Sequence, residues 1–351
     1  MARWALLVGL VAAAACGVGI AVGARQSFFR AYLLAFTFWT GIAGGGLALR
    51  LLHGLAGGAW GDRIRRPLDA ALATLPLTAA LFLPLAFGLA DLYPWARGGD
   101  AAHGLPEHRH VYLNAPFFLA RTAVYFAVWI GIATVITHKR RAAAAKRWSG
   151  PGLVLYGLTT TFASIDWIMS LEGVWISTIF GLLAMVGQVL TALAVAVVFV
   201  SFVDTASHKA VTHEQRRDLG NLLLAFVMLW AYLSFSQLLI IWSGNLPEEI
   251  TWYLPRLRGA WTKLAVLLLV VHFAAPFFIL LFRKAKHSLA VVGAVAAGLC
   301  GARLLDVAWV IKPTFVPDRI AVGWMDVGAF ATVGGLWTAM FVRHLEGSRH
   351  G

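Results

Sequence analysis

The chain has 351 residues, 60% of them hydrophobic and 13% charged, with a formal net charge of +13 and a mean hydropathy of +0.76. That balance excludes a soluble globular domain and describes a polytopic membrane protein. The basic excess does not point to nucleic acid, because Lys and Arg fall in short loops between apolar runs, where they set topology.

Roughly 20 consecutive apolar residues span a bilayer as a helix, and this sequence supplies that length about ten times. The expected spans lie near 4–23, 28–52, 69–91, 114–137, 152–171, 174–203, 219–242, 260–282, 289–311 and 323–342. They form one all-α integral membrane domain over residues 1–351. The first run follows Met-Ala-Arg and ends at the small residues Ala21-Val22-Gly23. It reads as an uncleaved span or as a signal peptide, and about twenty apolar residues is long for a signal. The sixth run is long for a level bilayer and is expected to tilt or to project beyond the hydrocarbon. No internal repeat is convincing. Ala-Pro-Phe-Phe recurs at 115–118 and 275–278, but one copy opens a span and the other sits mid-span.

Loop charges orient the chain. Eighteen Lys and Arg fall on the side that carries both termini and nine on the other, with Arg121 and Arg303 inside spans. By the positive-inside rule both termini are cytoplasmic. Arg121 then lies about two turns below the outer face. Asp166 lies about 9 Å short of Glu172 at the outer end of span five, at about 1.5 Å rise per residue. Arg303 and Asp306 occupy the outer half of span nine, His272 is mid-depth in span eight, and Asp91 and Asp326 sit at outer ends. The polar interior is expected to open toward the periplasmic side.

A charge at the bilayer centre costs about 2.5–3.5 kcal/mol or more, so it is rare unless paired or functional. Arg303 and Asp306 are three apart and share a helix face, so they can pair directly. Asp166, in Ser164-Ile165-Asp166-Trp167, has no basic residue within one turn on its own helix. It needs a partner from another helix, with Arg121 the candidate by depth, or it must be protonated. Both a structural ion pair and a proton relay or quinol contact fit it. His272 is the one histidine deep in a span. It is either a packed core residue or a proton or quinol contact.

The outer loops are the most polar and aromatic. Glu107 to Asn114 precedes span four, and Asn245 to Tyr253, with Glu248, Glu249, Trp252 and Tyr253, follows span seven. Each is either an interfacial anchor or a docking surface for an extracytoplasmic partner. His103, His108 and His110 lack the Cys or ordered carboxylates of a metal site. Cys16 and Cys300 cannot hold an iron–sulfur cluster, which takes four ligands. No CxxCH stretch attaches haem. His53, His138, His208 and His213 lie at span ends or in inner loops, so no axial pair forms at mid-depth. The sequence holds neither a dinucleotide fingerprint nor a P-loop. Redox chemistry would therefore need centres in partner subunits.

Several stretches occur in a telling order: His53 to Gly61 followed by Arg65 to Ala70; Leu92 to Ala96; Tyr112-Leu113-Asn114 with Phe117, Phe118 and Arg121; Ser164 to Glu172 with Trp175 to Thr178; and Phe226 to Glu249, which contains Trp230-Ala231-Tyr232 and Phe235-Ser236-Gln237. Together, over about residues 28–340, they resemble the second quinone-binding subunit of quinol:cytochrome c oxidoreductase (alternative complex III), of the NrfD/polysulfide-reductase membrane-subunit superfamily. The resemblance implies ten helices, arranged as two four-helix bundles and a flanking pair. It implies a bacterial inner-membrane complex with a paralogous membrane subunit and with a multihaem cytochrome c and an iron–sulfur subunit, the last two carrying the haem and clusters. This chain would bind no cofactor covalently and would not catalyse alone. It would contribute a quinone pocket, a proton path, or both, through Arg121, Asp166, Glu172, His272, Arg303 and Asp306. The alternatives are a scaffold whose charges lock helices and, less well, a transporter or proton channel. Pro76, Pro84 and Pro276 break runs without the symmetry that transporters often show.

Overall fold

The computed structural model describes residues 1–97, 107–138, 142–203 and 211–347, and all side chains in those ranges except 107–109, 142–145 and 203. Among them the chain is helical and without strands. Lys139, Arg140, Arg141, Lys209 and Arg349 of the charge count lie outside the described residues, as do His103, His208 and the side chain of His108.

Among the described residues, nine helical segments are long and apolar enough to cross a membrane. The first, Ala2–Ala56, has 55 residues, which at about 1.5 Å per residue is far longer than a hydrocarbon core of about 30 Å. It reverses at Gly23, whose φ of +96° suits a residue without Cβ. The two arms are α1 (Ala2–Gly19) and α2 (Arg25–Ala56). Both pack on α12 (Trp324–Gly347). Gly9 lies against Gly335 and Gly19 against Met325, so α1 runs antiparallel to α12. Phe38 meets Phe330 and Trp39 meets Trp337, so α2 runs parallel to it. The N-terminus and the end of α12 thus share one end of the molecule, called the terminal end below. Gly23 and residues 245–258 mark the far end.

Between them come α3 (Ala59–Leu72), α4 (Leu75–Leu81), α5 (Ala115–Thr137), α6 (Ala142–Trp167), α7 (Phe180–Val198), α8 (His213–Gly244), α9 (Gly259–Leu268), α10 (Ala275–Leu281) and α11 (Leu289–Ile311). The core centres on α2 and α7, which pack on each other and on several neighbours. Both are apolar nearly all round, as a helix enclosed by others must be. Their close approach depends on Gly45: a Cβ there would overlap the backbone carbonyl of Gln188 on α7. Gly45→Ala should therefore cost about 1–3 kcal/mol, the usual range for overpacking, read as a lower thermal midpoint in detergent. Gly17→Ala, where no atom lies within 4 Å of the added carbon, should leave that midpoint unchanged.

The observed helices depart from the expected spans in several places, among them the fifth, which begins at Ala142 rather than at 152. The third begins at Ala59, ten residues before the expected start, and breaks at Ala73–Thr74 into short pieces. Pro76 and Pro84 each sit in the first turn of such a piece, where a missing N–H costs nothing. The sixth begins at Phe180, and residues 174–179 form turns rather than helix. It is thus of ordinary length, and its last residues, Phe199–Val203, widen into a π turn. The eighth carries a π turn at Leu269–Ala274 immediately before Pro276. Proline cannot donate to the carbonyl four residues back, that of His272, and a wider turn accommodates the loss.

Candidate functional site

The charged residues singled out in the sequence fall into three separate groups near the far half of the bundle. In the first, Asp166 closes α6 and is fully buried. Arg121 on α5 grips it with two bonds, Nε to Oδ2 at 2.8 Å and Nη2 to Oδ1 at 2.9 Å. The Tyr125 hydroxyl donates to Oδ2 at 2.7 Å. The third guanidinium nitrogen donates to the Tyr112 carbonyl at 2.9 Å, and the plane lies 3.8 Å from the Tyr112 ring centroid. Trp167, next in sequence, packs among Phe36, Phe82 and Phe126. Asp166 thus accepts three hydrogen bonds, two of them from a cation, in an aromatic surround. That geometry fixes α5 to α6.

The second group joins Glu172 to a residue the sequence reading counted only as a loop cation. Arg256 has 1% of its surface exposed. It donates to Glu172 at 2.9 Å, to the carbonyls of Trp252 and Val310 at 2.6 Å each, and to the Thr314 hydroxyl at 3.0 Å. Thr314 in turn donates to Glu172 at 2.6 Å. Burial pushes the Arg256 guanidinium down to about 10, with Glu172 opposing the shift, so it remains charged at neutral pH. The signal that could have found it was Glu172 itself, an acid at the same depth with no basic residue beside it in sequence.

Arg256 holds down a roof. Trp252 stacks on Trp175 with centroids 4.6 Å apart and planes 12° from parallel, and the guanidinium covers the other ring contact at 3.8 Å. Trp252 and Tyr253, expected on a docking surface, are instead 2% and 8% exposed. Their rings remove too much apolar area from water to stand outward, and they pack with Met169, Phe180 and Ile241. Of the four loop residues expected to meet a partner, Glu248 is exposed and Glu249 half-buried.

The third group lies under that roof. Arg303 and Asp306 pair on α11, and Arg303 Nε donates to Thr191 on α7 at 3.2 Å. Gly187 leaves room for the guanidinium, where any side chain would collide with it. The pair lines a cavity of about 380 Å³, together with Thr40 and Gln188 and the aromatic rings of Trp230, Trp252, Tyr253 and Trp309. Ligand sites in proteins are typically about 300–1,000 Å³, mostly apolar with a few placed polar groups. Phe235, Leu238, Leu257 and Leu269 line the cavity and are also exposed on the outer surface of the bundle. They mark a gap between α8 and α9. The lower half of that helix pair is closed, since α8 packs on α10 and on the turn Arg283–His287.

His272 sits behind this wall rather than in it. It is fully buried, its ring centroid is 3.7 Å from that of Trp230, and neither ring nitrogen has a hydrogen-bond partner among the described residues. Of the six candidate residues, Arg303 and Asp306 reach the cavity. Arg121, Asp166 and Glu172 are held in their own networks, although Ser164 and Trp167 beside Asp166 do line it. Asp91 pairs with Arg25 at 2.9 Å and Asp326 with Lys312 at 2.7 Å. Among the described residues no three His, Cys, Asp or Glu side chains stand close enough to hold a metal.

No protein-family model matches the chain, and a search of curated proteins found no match.

Proposed function

We propose that this chain is a membrane subunit of a quinol:cytochrome c oxidoreductase of NrfD-like type, and that the cavity beside Arg303 and Asp306 takes the quinone or quinol. The terminal end is then cytoplasmic. The redox centres belong to an iron–sulfur subunit and a multihaem cytochrome c, and a paralogous membrane subunit completes the complex. One observation carries the reading: an apolar, ring-lined cavity with a single buried Arg–Asp pair in its wall and a gap toward lipid. A quinol has a flat ring, two oxygens and a long isoprenoid tail. The rings suit its plane, Arg303 can donate to one oxygen, Asp306 can accept from a hydroxyl, and the gap would pass the tail. Oxidation of a quinol releases two protons and two electrons. The protons would leave through Asp306, and the electrons would pass to the partner's haem.

A second reading, a scaffold without chemistry, draws support from the saturated Asp166 network, which looks built to lock helices. Asp306→Asn separates the two. In the assembled complex it should lower quinol:cytochrome c turnover by ~100-fold, the lower end of acid–base effects, while subunit content stays normal. A photoreactive quinone should label peptides containing Phe235 or Leu238. Full turnover in the variant together with no labelling would favour the scaffold.

A further inference from the structure

A second recess lies at the opposite end of the molecule and has no part in the reading above. It is a groove of about 760 Å³ between α3, α4, α5 and α12. Its floor is apolar, formed by Leu72, Leu75, Ile130, Ala133 and Met340, and its rim carries Arg65, Arg66 and His344. The groove runs past the break between α3 and α4, where α3 stops at Ala73–Thr74 and Pro76 stands in the first turn of α4.

Three strands of the chain agree on a gradient along it. On α3 and α4 the charged positions 62–69 precede the apolar positions 72–76, reading from the terminal end inward. On α5, which runs the other way, Ile130 and Ala133 precede Thr137. On α12, Met340 precedes His344 by one turn. Each element therefore places polar groups at the membrane surface and apolar groups about 6–13 Å deeper, at about 1.5 Å per residue. A water-soluble ligand has no use for the deep apolar half, and a purely apolar one has no use for the rim.

The charge of Arg65 on the rim is only partly met. Asp69, the nearest acid to Arg65, is already taken by Arg50 at 2.6 Å, and Arg65 approaches it only to 3.5 Å. The Arg65 side chain is 53% exposed. Arg66 donates to the Leu345 carbonyl at 2.7 Å and so braces α12 against α3. Asp62 shares the rim and would meet the ammonium of a zwitterionic headgroup.

We propose that this groove is a binding site for one phospholipid of the leaflet at the terminal end. The phosphodiester sits at the Arg65–His344 rim, and one acyl chain lies along the floor between α4 and α5. Basic pockets between membrane helices bind lipid headgroups by this combination of charge and depth. The site does not depend on quinone chemistry or on which side of the membrane the terminal end faces.

Native mass spectrometry tests it. The full chain is reconstituted in vesicles of phosphatidylethanolamine and phosphatidylglycerol and then extracted in mild detergent. Wild type should retain a single phospholipid through washing. Arg65→Glu reverses the charge at an exposed position. Thr134→Trp fills the groove from the exposed face of α5, where the hydroxyl bonds only its own helix. Both variants should lose the retained lipid while keeping the wild-type thermal midpoint before delipidation. Arg217→Glu, at another exposed basic position on α8, should keep it. Wild type that retains no phospholipid, or Arg65→Glu and Thr134→Trp proteins that retain it as well as wild type, would overturn the proposal.

Discussion

Replacing Arg121 with methionine should destabilise the protein by about 3–5 kcal/mol, the usual result of stranding a buried charge. Asp166 is fully buried and Arg121 supplies two of its three hydrogen bonds. Methionine keeps much of the side-chain volume but leaves the carboxylate with Tyr125 and no countercharge. The double variant Arg121→Met with Asp166→Leu should recover most of the loss, because a pair removed together leaves nothing unpaired. Unfolding midpoints in detergent for the two single variants and the double variant close the cycle. If the two single losses simply add in the double variant, the pair is not coupled and the helix-locking account of this group is wrong.

Arg256→Met is expected to act on one face of the molecule rather than throughout it. It removes donors from Glu172 and from the carbonyls of Trp252 and Val310. Each bond to a charged group is worth about 1.5–3 kcal/mol, so the roof over the cavity should open well before the bundle unfolds. The readout is proteolysis within residues 245–258 of the folded protein, faster by at least ~10-fold if only one such bond's worth of protection is lost. Arg256→Lys should fail to restore protection, since a single ammonium cannot reach acceptors arranged for a planar fork. Full protection with lysine would show that charge alone, not the fork, secures the roof.

The apolar helical character of the chain and the bounds of the ninth span were readable because hydropathy alone specifies them. Span 289–311 coincides with α11, where Ser288 caps a run that is apolar apart from the Arg303–Asp306 pair and Lys312-Pro313 ends it. The Arg121–Asp166 contact was also legible: depth arithmetic put one base and one unpartnered acid at the same level. What failed did so for a common reason. Trp175 is buried, at 2% exposure, but in a turn, and a hydropathy window cannot tell an apolar loop folded into the protein from a helix in lipid. The start of the third helix was hidden by the reverse case, a charged amphipathic turn, Asp62 to Arg66, that is helical without being apolar. Arg256 was invisible because a cation between two spans looks like a topology signal until its partners are known. The roles of Trp252 and Tyr253 depended on the same loop fold and could not be read before it.

The gap between α8 and α9 has a bearing on exchange kinetics. A molecule that reaches Arg303 through it travels from the hydrocarbon, in two dimensions, without first dissolving in water. Its local supply is then set by partition and by tail length. Short-tailed water-soluble analogues, which arrive by a different phase, would misreport the natural on-rate even where they reproduce equilibrium occupancy.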